Sequence, residues 1–159
     1  MAISNLLPKF DYIEPNNLKG LQPGFVVAQM PVATSASALL VEKNGVKYME
    51  NGTICDISKD GIVAPTADSK NLFICFSEPL NTIIDGDEFY AVNLDEEHPR
   101  LVQLIPGDEW MATKELTLTG ALSGRIVEVT KDSGIGSDDW YGYSKMANGD
   151  EGHHYMFIG

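Results

Sequence analysis

The chain has 159 residues, 43% hydrophobic and 21% charged, with 23 acidic against 11 basic side chains and a net charge of -12. That length suits one domain with a real core, and the acidity argues against nucleic acid or an anionic membrane as a partner. The imbalance is uneven, net -1 over residues 1–70 and -11 over residues 71–159, which fits a solvated outer face or a partner with a basic patch.

Residues 1–23 read as an extended N-terminal arm ahead of a single β domain at 24–159. Pro8, Pro15 and Pro23, with Asn16-Asn17 and Gly20, interrupt any long helix or central strand there. The arm is nevertheless apolar: Leu6, Leu7, Phe10, Tyr12, Ile13 and Leu18 need cover. A free tail would carry fewer such side chains. Two arrangements satisfy them, folding back along the same domain or lying on a neighbouring chain. The start of the chain has no basic segment and no long apolar run, so it does not read as a signal peptide, and synthesis in the cytoplasm is expected. No 18-residue apolar stretch suggests a transmembrane helix.

The first strand is expected at Gly24–Met30, followed by a loop of small residues from Pro31 to Ala38. Asn44-Gly45, Asn51-Gly52, Asp60-Gly61 and Asp85-Gly86 then punctuate short β-branched and aromatic runs. Such dipeptides accept positive φ at little cost and suit hairpin turns, so a meander of antiparallel strands is expected. Asn71–Phe76 is the most apolar run and is expected as a central strand buried on both faces. Strands are also expected at Glu88–Asn93 and Arg100–Ile105, flanking an acidic loop at Leu94–Pro99. Pro106-Gly107-Asp108 reads as a turn, Asp108–Thr113 and Glu115–Leu118 as continuing strands. Gly124–Thr130 alternates, and Tyr155–Ile158 closes the chain. Helical periodicity is absent apart from a short helix or turn near 67–71 or 78–84. The expected fold is all-β, a small antiparallel β-sandwich or barrel with the extended arm. Its expected core comprises Phe25, Val27, Leu40, Ile54, Leu72, Ile74, Phe89, Ala91, Leu101, Leu104, Ile126 and Val129.

No arrangement of residues names a reaction. Cys55 and Cys75 sit in apolar runs and read as buried thiols. Asp132–Asp139 has the glycine and acid content of a calcium loop, but Gly stands where ligands belong, so a surface loop is expected. His153 and His154 are adjacent. On a strand they face opposite ways and do not share a metal, which favours a solvated or interface pair. No nucleophile elbow, phosphate-binding loop or His-Glu-x-x-His occurs. No catalytic residue, cofactor or metal is therefore expected. Trp140, Tyr141 and Tyr143 form an aromatic cluster suited to stacking on a sugar, to an interface, or to burial at the end of a sandwich.

The ordering of segments resembles the head decoration or auxiliary capsid proteins of tailed bacteriophages. The stretches that carry the likeness are Gly24–Pro31, Val46–Gly52, Pro79–Val92, Pro99–Asp108 and a late strand ending at Gly159. The resemblance implies a non-enzymatic virion protein present in many copies or as a homo-oligomer. Its partner would be the major capsid protein, with neither nucleic acid nor membrane bound. It would clamp an assembled shell, with Leu6, Leu7, Phe10, Tyr12, Ile13 and Leu18 of the arm as contacts. The alternative is a β-sandwich glycan-binding module for host attachment, using Trp140, Tyr141 and Tyr143.

Overall fold

A computed structural model describes residues 13–15, 28–43, 46–76, 83–84, 87–88, 93–94, 98–129 and 152–159. Strands dominate them. The first seven are β1 (Ile13–Pro15), β2 (Ala28–Gln29), β3 (Val41–Lys43), β4 (Val46–Met49), β5 (Ile54–Ser58), β6 (Gly61–Val63) and β7 (Phe73–Cys75). Then come β8 (Ile83–Ile84), β9 (Asp87–Glu88), β10 (Asn93–Leu94), β11 (Arg100–Gln103), β12 (Glu109–Ala112), β13 (Ile126–Glu128) and β14 (His153–Phe157). The fold is all-β, and every pair of named strands is antiparallel.

Two sheets make the body. One has five strands in the order β2-β11-β7-β5-β6, the other four in the order β1-β12-β14-β13. Strand β7 is the middle of the larger sheet and buried at every position. Its pleat sends alternate residues to opposite faces. Ile74 lies between its register partners Ile54 and Val102. These join Leu72, Phe76 and Leu104 in a core shared with Trp110, Ala112, Ile126, Tyr155 and Phe157 of the smaller sheet. Phe73 and Cys75 face the other way, into a second cluster with Met49, Cys55, Ile62 and Leu101. The larger sheet is thus covered on both faces, as the apolar run predicts. Seven of the expected core residues are buried, from Ile54 to Val129, and Leu40 is half-buried against the second cluster. Phe25, Val27, Phe89 and Ala91 lie outside the described residues.

The turns are only partly those the dipeptides predict. Strands β3 and β4 pair across Asn44-Gly45, with Lys43 opposite Val46, and β8 and β9 pair across Asp85-Gly86, with Ile84 opposite Asp87. The Asp60-Gly61 hairpin is shifted by one residue. Ser58 pairs with Gly61, so Lys59-Asp60 is the turn and Gly61 opens β6. Asn51-Gly52 joins no hairpin. Strand β4 belongs to a three-stranded sheet, β10-β4-β3, and β5 to the five-stranded one. Gly52, at φ 86°, turns the chain between them and donates its N–H to the Cys75 carbonyl. A simple meander is therefore corrected, because a turn residue fixes local direction and not the strand that the next segment joins.

Two further expectations are corrected, and two turns are as expected. The loop read at Pro31–Ala38 is structured: Val32 bridges Ile62 in parallel, and Thr34–Leu39 forms two short 3-10 turns that meet at a kink at the buried Ala36. Glu115–Leu118 is not a strand. Leu116 and Leu118 pack on the main core, and the Leu116 N–H is bonded by the Tyr155 hydroxyl. Between 67 and 71 there is a turn, closed by Ser69 N–H to the Thr66 carbonyl. Pro106-Gly107 makes the expected turn, with Gly107 at φ 97° and the Asp108 N–H on the Ile105 carbonyl. The Asp108 carboxylate, fully buried, also accepts the Ile105 N–H at 2.8 Å.

Candidate functional site

The smaller sheet carries both features that bear on function. The first is its edge. Ile13–Pro15, from the segment read as an arm, pairs with β12: Ile13 opposite Ala112, Glu14 opposite Met111 and Pro15 opposite Trp110. Proline has no N–H to give a ladder, and β1 is an edge strand, where that loss is tolerated. In the single chain this segment of the arm pairs with its own domain. Leu6, Leu7, Phe10, Tyr12 and Leu18 lie outside the described residues.

The second feature is a polar pair behind that edge. The strand Glu109-Trp110-Met111-Ala112 is buried along its whole length. Trp110 and Ala112 point into the core between the sheets, so Glu109 and Met111 occupy the opposite face. Register places Met111 opposite His154. The His154 Nε2 lies 3.0 Å from Glu109 Oε1, with both residues buried. A carboxylate only accepts, so the nitrogen facing it carries the hydrogen. Burial lowers the pKa of His154 from 6.5, outweighing the attraction of the Glu109 carboxylate and the hydrogen bond to it. The pair is thus a neutral imidazole donating to a carboxylate.

His153, one residue earlier, points to the other face and approaches Glu128 of β13 at 3.5 Å, where both side chains are partly solvated. The two histidines diverge, as strand geometry requires. His154 is nevertheless not a solvated residue, which corrects the expectation of a solvated or interface pair. Its partner lies 45 positions away in sequence and meets it only through strand register. The one cue was a glutamate set inside an otherwise apolar strand.

Other chemistry-bearing residues fall as follows. Cys55 and Cys75 are both buried free thiols on the second-cluster face. Burial, reinforced by the nearby Asp56 charge, pushes the Cys55 thiol up to about 12, and burial also pushes Cys75 well above the usual value. Neither is a nucleophile at neutral pH. His98 is exposed, at φ 60°, ahead of the buried Pro99. Among the described residues no three His, Cys, Asp or Glu side chains gather as metal ligands. No helix among them is long and apolar enough to cross a membrane. Trp140, Tyr141, Tyr143 and the Asp132–Asp139 loop lie outside the described residues. No family model, no curated protein and no solved structure matches the chain.

Proposed function

We propose that the chain is a non-enzymatic structural protein of a tailed-bacteriophage head, many copies of which bind the assembled shell of the major capsid protein. The observation that supports this reading most is the tie at β1. Residues 13–15 of the apolar N-terminal stretch pair with β12 at the edge of the smaller sheet. Ile3, Leu6, Leu7, Phe10 and Tyr12 directly precede that strand in the sequence. Such a body with a short apolar extension suits a clamp across subunit boundaries. A clamp that binds the assembled shell and not free subunits stabilises the shell by mass action.

The test is co-sedimentation with heads that lack the protein, beside unassembled capsid subunits. Binding is expected to the heads alone and to persist in about 0.5 M salt, where the Debye length falls below roughly 5 Å, because apolar burial is hardly screened. Removing the whole arm would also remove β1, so substitutions ahead of it are the cleaner probe. Phe10→Asp or Tyr12→Asp should weaken binding far more than neutralising Asp95, Glu96 and Glu97. Release by salt alone, with the Phe10 and Tyr12 substitutions tolerated, would move the contact to the acidic half of the molecule. Glycan binding with no sedimentation would replace the reading with a host-attachment module.

A further inference from the structure

We infer that β1 is an exchangeable strand, so that a second copy of this chain can lay its own Ile13–Pro15 on β12 and link the two copies reciprocally. Three observations carry this. The first is the asymmetry of the edge. Strand β1 is three residues long, and one of the three is a proline, so its own hold is light. The strand it covers is not light: Trp110, Met111 and Ala112 are all almost completely buried. Those side chains are held by the core and the neighbouring strand, so vacating the position would bare the backbone edge of a fixed strand, which favours an occupant whichever chain supplies it.

The second observation is the tether. Strand β1 belongs to the four-stranded sheet, and the next strand in sequence, β2, is an edge of the five-stranded sheet. The residues between them, 16–27, include Asn16-Asn17, Gly20, Pro23 and Gly24. Fully extended, such a span reaches about 40 Å, enough to cross to a neighbouring molecule. Exchange of an identical element preserves every register pair of the closed form, so it costs little beyond the tether.

The third observation is charge. Two copies of a chain at net -12 repel, but residues 1–24 hold Lys9 and Lys19 against Asp11 and Glu14 and are balanced. The receiving strand lies in the acidic half, residues 71–159. The segment offered to the neighbour is therefore the part of the chain that approaches that half without net repulsion.

The proposal is independent of the head-protein reading, because it is tested in solution without particles. Ile13→Cys and Ala112→Cys, at register partners, are made in separate chains, mixed and mildly oxidised. A disulfide between two chains is expected, rising as protein concentration approaches about 1 mM, the effective concentration that a short tether provides. The double variant in one chain should close on itself when dilute. Closure within one chain at every concentration, with no mixed dimer, overturns the proposal. Failure of the double variant to close overturns the register on which it rests. Sedimentation of the unmodified chain decides the matter if the cysteine variants do not fold. A dimer that grows with concentration and is lost in Glu14→Pro supports exchange, and a monomer at about 1 mM in both overturns it.

Discussion

Strands β7 and β12 are each buried at every position, yet they are built from different chemistry. Strand β7 reads Phe73-Ile74-Cys75 and reaches that state through apolar side chains alone, divided between two hydrophobic clusters. Strand β12 reads Glu109-Trp110-Met111-Ala112. It buries a carboxylate, and that requires a partner, because an ionised group removed from water without hydrogen bonds is very costly. The imidazole of His154 is one such partner, at 3.0 Å. Burial at β7 is thus a property of composition, whereas burial at β12 depends on a strand from the end of the chain arriving in the right register.

The largest effects should come from removing the anchors of the two strands. Trp110→Ala should cost about 4 kcal/mol and Ile74→Ala about 3 kcal/mol in denaturant unfolding. A loss under about 1 kcal/mol for Ile74→Ala would show that β7 is not the centre of the core. Trp110→Phe should be much milder than Trp110→Ala, since the buried indole N–H has no hydrogen-bond partner among the described residues to lose.

A backbone test of the larger sheet comes next. Gly61 sits at φ 125°, and a Cβ there would lie 2.3 Å from the Pro31 carbonyl oxygen. That oxygen is already held by the Ile62 N–H at 2.9 Å and has little room to move. Gly61→Ala should therefore cost about 2–3 kcal/mol. A wild-type melting temperature in this variant would mean that β6 and the 31–33 segment are not in contact.

The polar pair sharpens the comparison through pH. In the unfolded chain His154 titrates near 6.5, and burial lowers that value in the fold. The unfolded state therefore binds more protons as pH falls below 6.5. Stability linked to the neutral imidazole is complete above that pH and is lost as pH drops through the lower folded value. Glu109→Ala, which removes an acceptor from the buried ring, should cost about 2 kcal/mol at pH 7.5. His154→Gln should flatten the fall in melting temperature between pH 6.5 and 5. An unchanged slope would assign that acid sensitivity to other groups. The smallest effect belongs to the neighbouring histidine. His153→Ala removes a half-solvated contact with Glu128 and should change stability by about 0.5 kcal/mol or less.

Much of the core is legible in the sequence because apolar runs have few places to go. Leu72, Ile74, Leu101 and Ile126 are buried as their patterns imply. Tyr155 was less predictable, since its hydroxyl accepts the Leu116 N–H and so allows a polar group inside. The 3-10 turns at Thr34–Leu39 left no periodic signal, being two short pieces of mostly small residues broken by a kink at Ala36. The candidate site was legible only in part. The apolar, proline-broken character of the N-terminal stretch marked it as needing a surface, but the surface itself is β12, about a hundred residues away.

By itself the sequence determined an acidic all-β chain with a doubly buried central strand within 71–76, found at Phe73–Cys75, because residue type and two-residue periodicity act locally. The tertiary structure alone decided which strands meet. It placed β1 on β12, carried the chain at Gly52 from one sheet to another, and set His154 against Glu109. The physical reason is that a strand's hydrogen-bonding edge is nearly the same for every sequence. Partner and register are chosen by the faces that must be buried together, and those faces come from segments far apart in the chain.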